Sequence, residues 1–176
     1  MTSCEALKKY FGFDNFRGGQ SEIISAISSG RDVLGVMPTG AGKSVCFQLP
    51  AITHDGLTLV ISPLISLMKD QVGALGQSGI PAAYINSTLT PRQMELATEN
   101  ARYGRYKLIY VAPERLTSPD FIDFAQNVNI FMVAVDEAHC ISQWGQDFRP
   151  SYSQIPQFID QLATRPIVSA FTATAT

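Results

Sequence analysis

Short apolar, β-branched runs recur along the chain at residues 32–37, 57–61, 82–85, 108–112, 130–135 and 167–171, with helix-like segments between them. Runs that are apolar at nearly every position, rather than at every second one, predict strands buried on both faces. Parallel neighbours need crossover connections, and these are overwhelmingly right-handed. The alternation therefore predicts an α/β domain with a mostly parallel central sheet flanked by helices. Start signals mark the helices: Ser62-Pro63 ahead of residues 64–75, Thr90-Pro91-Arg92-Gln93 as a capping box, and Ser118-Pro119 ahead of Phe121.

A helical appendage over residues 1–30 precedes the first run: a helix-like stretch at 4–10, then 11–20, then an amphipathic segment 21–28 stopped by Gly30. The domain proper covers 31–176. Its last segment, 171–176, follows a strand directly, and the expectation is a fragment of a longer protein. With 45% apolar and 16% charged residues, the composition is that of one soluble globular domain. A net charge of −2 excludes a global basic field, so any site for a polyanion must be local. Cys4, Cys46 and Cys140 are odd in number and lack CxxC spacing, which argues against a disulfide framework or a zinc site and for a reducing, cytoplasmic setting. Neither a secretory h-region nor an apolar run long enough for a bilayer is present, so no membrane partner is expected.

The run at 32–37 leads into Pro38-Thr39-Gly40-Ala41-Gly42-Lys43-Ser44 and then a helix-like segment at 45–49. Strand, glycine-rich loop and helix are the context a phosphate-binding loop requires. Gly40 and Gly42 let the backbone turn its N–H groups inward, and a helix N-terminus adds a favourable dipole for phosphate. Lys43 supplies a point charge for the outer phosphates, and the Ser44 hydroxyl suits Mg²⁺. The strict loop pattern fails at its first glycine, where Met37 stands, so a plain glycine-rich turn remains the alternative.

The second constellation is Asp136-Glu137-Ala138-His139, at the end of the apolar run 130–135. It places two acids at the C-terminal edge of the sheet, where open α/β folds bind ligands. Asp136 is the type of group that holds Mg²⁺, and Glu137 suits orienting or deprotonating an attacking water. His139 either couples this edge to its neighbours or satisfies a backbone carbonyl. His54, in Thr53-His54-Asp55-Gly56, reads as an exposed turn residue with no role.

With both motifs placed, the chain resembles the first RecA-like motor domain of RecQ-type DNA helicases. The residues carrying the resemblance are Phe11 to Gln20, Met37 to Ser44, Ser62 to Gln71, Asn86-Ser87-Thr88, Ala112-Pro113-Glu114-Arg115-Leu116, Asp136 to Pro150 and Phe171 to Thr176. The resemblance implies an ATP-dependent 3′ to 5′ DNA helicase acting in DNA repair and recombination, with ATP and Mg²⁺ as cofactors and single-stranded and duplex DNA as partners. It accounts for Met37, since helicases of this superfamily often lack the first loop glycine. Ala41 stands for a usual glycine and Gly18 for a usual proline. It also implies that Arg17 and Gln20 read the adenine, with Phe13 stacked on it; a Gln side chain can donate to and accept from an adenine edge at once.

The segment Cys140 to Pro150 matches an aromatic-rich loop that, in this family, senses single-stranded DNA and links it to hydrolysis. Trp144 and Phe148 would stack on bases and Arg149 would meet phosphate; the plainer alternative for both aromatics is core packing. Ser62, Lys69, Asn86, Ser87, Thr88 and Arg115 are implied backbone contacts of the tracking strand. Taken alone, Ser62 reads as a helix N-cap and Lys69 as part of a solvated face. Thr172 and Thr174 match the segment that couples hydrolysis to unwinding, by hydrogen bonds toward the acids. A second motor domain would supply arginines to the γ-phosphate, so this chain alone is expected to bind ATP but not to unwind DNA. The competing classes are a nucleotide-gated DNA-binding scaffold and a P-loop kinase; the intact Lys43, Asp136 and Glu137 count against the first, and the aromatic loop against the second.

Overall fold

A strand that is apolar on both faces must be covered on both, and the helices between the strands provide that cover. The computed structural model describes residues 1–38 and 40–173. Its strands are β1 (Val33–Val36), β2 (Leu57–Ile61), β3 (Ala82–Ile85), β4 (Leu108–Val111), β5 (Ile130–Val135) and β6 (Ile167–Thr172). Its α-helices are α1 (Ser3–Ala6), α2 (Gln20–Ser28), α3 (Lys43–Thr53), α4 (Ile65–Gln77), α5 (Pro91–Arg102), α6 (Pro119–Gln126) and α7 (Ile155–Asp160). The sheet has the order β1-β6-β5-β2-β4-β3, and every pairing among the described strands is parallel.

The period of two along β2 explains its unbroken apolarity. Val60 joins a layer that buries Ile27 of α2, Cys46 and Phe47 of α3 and Met68 and Leu75 of α4. Leu59 and Ile61 join the opposite layer, with Ala97 and Ala101 of α5, Phe121 and Phe124 of α6 and Phe158 of α7. Both faces are buried, so both sets of side chains must be apolar.

That expectation fails at the sheet edges. On β1, Leu34 and Val36 are 65% and 50% exposed, and β3 is only half-buried apart from Ile85. An edge strand has one neighbour, and here Leu34, Val168, Ala170 and Ile159 line an apolar groove of about 500 Å³ beside the helical layer.

Local signals act largely as read. Thr90 and Gln93 form a reciprocal capping box, and Thr2 with Glu5 forms another that the sequence reading did not single out. Ser62 differs from expectation: the residue flanking α4 is Leu64, and the Ser62 hydroxyl accepts from the Leu64 N–H at 3.4 Å, capping the approach rather than the helix. His54 is half-buried, with its ring stacked on Phe131 at 4.7 Å and 9°, and so is not the exposed turn residue expected. A π-helical turn, Leu7–Phe11, continues α1 and stops at Gly12, whose φ of 75° is open to glycine without strain. Ala6, Leu7 and Ile24 bury against Val45 and Leu49 of α3. Residues 1–30 are thereby pinned beside the helix that follows the glycine-rich loop.

Candidate nucleotide and nucleic-acid site

An all-parallel sheet brings every strand's C-terminal end to one edge, and the chemistry gathers there. The strand order sets its sequence along the edge: the loop after β1, Thr172 of β6, Asp136 after β5, Ser62 after β2, the Arg115 turn after β4 and Asn86 after β3. The loop and the acids thus share one half of the edge, and Ser62, Arg115 and Asn86 the other.

Gly42 is the residue flanking α3, with φ 81°, and Gly40 has φ 85°. Lys43 and Ser44 therefore open the helix, where its unpaired N–H groups face the loop. Met37 is buried, its N–H donates to the Thr172 carbonyl at 2.9 Å, and its sulfur lies 3.7 Å from the Cys46 sulfur. Burial pushes the Cys46 thiol up to about 12, so it remains a neutral filler beneath the loop. Ala41 N–H donates to the Pro38 carbonyl at 3.1 Å, forming the turn. Thr39, assigned to this loop, lies outside the described residues.

Arg17 and Gln20 both reach that loop. The Arg17 guanidinium donates to the Gly40 carbonyl at 2.8 Å, and Gln20 Nε2 donates to the Gly42 carbonyl at 3.0 Å. Gln20 Oε1 accepts from the Arg17 N–H at 2.8 Å, so both ends of the buried carboxamide are engaged by main chain. Phe13 is 45% exposed, with its ring centroid 5.7 Å from the Arg17 guanidinium carbon, a cation–π distance.

Across the end of β6, Lys43 Nζ stands 3.9 Å from Glu137 Oε1. Glu137 holds φ 53° and ψ 47°, the only positive φ of a non-glycine residue among those described. A left-handed residue with a side chain costs roughly 1–2 kcal/mol, and such outliers concentrate at functional sites. The Glu137 N–H donates to Asp136 Oδ1 at 3.0 Å. Burial, and secondly the neighbouring Glu137 charge, push the Asp136 carboxyl above its ordinary range. A cation at this point would relieve both causes.

His139 joins these acids to β6. Its Nδ1 lies 3.0 Å from Thr172 Oγ1, a hydrogen bond that either tautomer can make because a hydroxyl both donates and accepts. Glu137 Oε2 at 3.5 Å and Asp147 Oδ2 at 3.6 Å from the ring nitrogens are charge proximities that need a protonated imidazole. Of the two sequence readings of His139, the geometry matches coupling to neighbouring side chains. Thr172 meets the acids through His139, whereas Thr174 lies outside the described residues.

The segment after the acids is a loop of short turns. Trp144 is 96% exposed and Phe148 half-buried, so core packing is excluded for Trp144. Arg149 has an exposed side chain, and its N–H donates to the Cys140 carbonyl at 2.9 Å. Immediately beyond, buried Tyr152 donates its hydroxyl to the Asp136 carbonyl at 2.7 Å. Burial raises the Tyr152 hydroxyl far above its ordinary range, which keeps it a neutral donor. Tyr152 and Asp147 were missed by the sequence reading. The one available signal was an aromatic with a polar tip following Arg149-Pro150, too common a pattern to single out.

The remaining nucleic-acid candidates divide by exposure. Lys69 is exposed on α4. Asn86 is buried, its Oδ1 accepts from the Thr88 N–H and hydroxyl, and its carbonyl accepts from the Arg115 guanidinium at 3.2 Å. Ser62 is buried in its own turn. Lys69 presents its charge to solvent, while Asn86 and Ser62 shape the turns that carry their neighbours; Ser87 is exposed on one of them.

Comparison with known proteins adds four findings. The model of the DEAD/DEAH box helicase family matches residues 17–176. The chain is 52% identical over 171 residues to the ATP-dependent DNA helicase RecQ of Bacillus subtilis (strain 168), covering 97% of this chain and 29% of that protein. It is 48% identical over 174 residues to the RecQ protein of Haemophilus influenzae, covering 99% of this chain and 28% of that one. It therefore spans less than a third of these relatives. Among solved structures, the helicase MrfA bound to DNA superposes with a TM-score of 0.79 at 20% identity, over 99% of this chain and 26% of MrfA, a likeness of fold.

Proposed function

Because the chain belongs to the DEAD/DEAH box helicase family, we propose that it is the ATP-binding motor domain of a RecQ-type, ATP-dependent 3′ to 5′ DNA helicase. The observation that carries this reading is Lys43, at the start of α3, facing Glu137 at 3.9 Å beside the half-buried Asp136. The 52% and 48% identity to RecQ DNA helicases over nearly the whole of this chain supports DNA as the track. Roles in repair and recombination, and a cytoplasmic setting, extend the same reading.

In this reading the loop amides and the positive end of α3 bind the phosphates, and Lys43 exchanges Glu137 for the outer phosphates. The Ser44 hydroxyl and Asp136 would hold Mg²⁺. Few protein oxygens suit an ion that keeps water and phosphate ligands, and the raised pKa of Asp136 suits a site completed by a cation. Bound there, Mg²⁺ neutralises charge on the transferring phosphoryl group. Glu137, released from Lys43, accepts a proton from the attacking water. Gln20 reads adenine by exchanging one of its two main-chain partners, and Phe13 offers a stacking face. Exposed Trp144 and Arg149 meet single-stranded DNA.

Arginines from a second motor domain would complete the transition state, so this chain alone binds Mg²⁺–ATP, hydrolyses it poorly and does not unwind duplex. The test is titration of the chain with Mg²⁺ and a non-hydrolysable ATP analogue. Lys43→Ala should weaken binding by about tenfold or more, the scale of a lost charge-assisted phosphate contact of ~1.5–3 kcal/mol. Equal affinity in both proteins refutes the assignment.

A further inference from the structure

Besides the main-chain bond from the Cys140 N–H to the Glu137 carbonyl at 2.9 Å, the loop carrying Trp144 is tied back to the acid pair by a hydrogen bond from a buried side chain. The Tyr152 hydroxyl donates to the Asp136 carbonyl at 2.7 Å, and Tyr152 is wholly buried. On its other side Asp136 is held by the sheet ladder, where its N–H donates to the Ile61 carbonyl at 2.9 Å. The next residue is Glu137, at φ 53°. A left-handed conformation in a residue with a side chain persists only where its surroundings over-determine it, and the Tyr152 bond is part of that constraint.

Tyr152 also closes the base of the loop. Its N–H donates to the Arg149 carbonyl at 2.9 Å, and the Arg149 N–H donates to the Cys140 carbonyl at 2.9 Å. Along the loop the described main-chain bonds are those of three turns, Ser142 N–H to His139, Gly145 N–H to Ser142 and Phe148 N–H to Gly145. Trp144 projects almost wholly into solvent. The loop is thus clamped at its base and free at its tip, and the clamp ends on the peptide that sets the Glu137 side chain. The alternative link, His139 to Asp147, spans 3.6 Å to a carboxylate whose side chain is 73% exposed, so solvent screens it.

We propose that Tyr152 is a positioning residue whose hydroxyl transmits changes between the Asp136–Glu137 peptide and the Trp144 loop. The inference rests on the nucleotide-site reading above and names the physical connection within it. Nucleotide that draws Glu137 away from Lys43 shifts the Asp136 carbonyl, the Tyr152 hydroxyl follows, and the base of the loop moves with it. Loop displacement by a bound strand runs the same path in reverse.

The chain contains a single tryptophan, so Trp144 emission reads the loop alone. The experiment measures emission and acrylamide quenching of Trp144 in the 176-residue chain, with and without Mg²⁺ and a non-hydrolysable ATP analogue. Nucleotide affinity is measured separately by calorimetry. The wild-type signal should change on saturation. Tyr152→Phe keeps the buried ring, and it should bind nucleotide within about threefold of wild type while losing most of that change. Tyr110→Phe is the matched control. It also removes a buried hydroxyl, one that accepts from Gln48 at 2.8 Å, but it should keep the full signal.

An unaltered response in Tyr152→Phe, or a wild-type chain that binds nucleotide without any response of Trp144, overturns the proposal. Loss of response in both Phe variants overturns it as well, since that marks a general loosening of the core. Absence of nucleotide binding by the wild type refutes the underlying site reading and the inference with it. Should Tyr152→Phe not fold, amide exchange in the wild type decides: protection across residues 140–152 must change on nucleotide binding, and unchanged exchange overturns the link.

Discussion

Gln20 Nε2 donates to the Gly42 carbonyl at 3.0 Å, and a methyl group built on the Gly42 α-carbon would overlap that same nitrogen. The residue before the helix and the glutamine that grips it are therefore matched in space as well as in hydrogen bonding. Gly42 also sits at φ 81°, where a side chain is strained. Gly42→Ala should destabilise the chain by roughly 1–3 kcal/mol, combining left-handed strain with overpacking. Urea unfolding checks this, with the midpoint falling and the slope constant. Gly40→Ala, whose added methyl meets nothing within 4 Å, should show the strain alone and so the smaller loss.

Asp136 makes stability depend on pH in a defined direction. Its carboxyl titrates above 3.8 in the folded chain because burial, and then the Glu137 charge, disfavour ionisation. Between 3.8 and the folded value, the native state holds a proton that the unfolded state has released. Stability from this group therefore falls as pH rises through that window, and the penalty is complete above it. Asp32 acts oppositely: the Arg165 hydrogen bonds hold its carboxyl low, so its contribution is lost as pH falls. Asp136→Asn leaves Asp32 untouched and keeps the Oδ1 acceptor for the Glu137 N–H. The variant should melt higher than wild type at pH 7, with the gap closing as pH drops toward 4. A gap that widens on acidification contradicts the assignment. With Mg²⁺ and nucleotide present, the order should reverse, because the wild type alone gains the ion.

Trp144 offers a cleaner separation of binding from folding. A side chain that is 96% exposed contributes little to the core, so Trp144→Ala should change unfolding free energy by no more than ~0.5 kcal/mol. Stacking on one base is worth about 1–3 kcal/mol, so the affinity of the chain for an unstructured oligonucleotide should drop by roughly five- to 150-fold. Fluorescence anisotropy of labelled single-stranded DNA measures it. Unchanged DNA affinity in Trp144→Ala would refute the stacking role.

The parallel α/β architecture was legible because a parallel sheet writes its own pattern: apolar runs buried on both faces, spaced by crossover helices. The Thr90–Gln93 box and the Pro119 start were legible for a related reason, since caps act within three residues. Leu34 and Val36 were misread because an edge strand and a central strand share the same apolar alphabet, and position in the sheet is not a local property. As a helix start Ser62 lies two residues early, as helix starts commonly do.

The candidate site was partly legible for the same reasons. Lys43 and Ser44 follow their glycines directly, and Asp136 and Glu137 end a strand, so order along the chain was enough to find them. That Lys43 meets Glu137, 94 positions away by numbering, depends on β6 pairing between β1 and β5. Gln20 gripping Gly42 depends on Leu7 and Ile24 burying against α3. Residue types and their local spacing determined the strand–loop–helix, the acid pair and the exposed aromatic loop, because glycine conformational freedom, helix capping and strand burial act over a few residues. The tertiary structure alone decided which of these meet: the Tyr152 hydroxyl on the Asp136 carbonyl and His139 on Thr172 join segments that only sheet order and packing bring within hydrogen-bond reach.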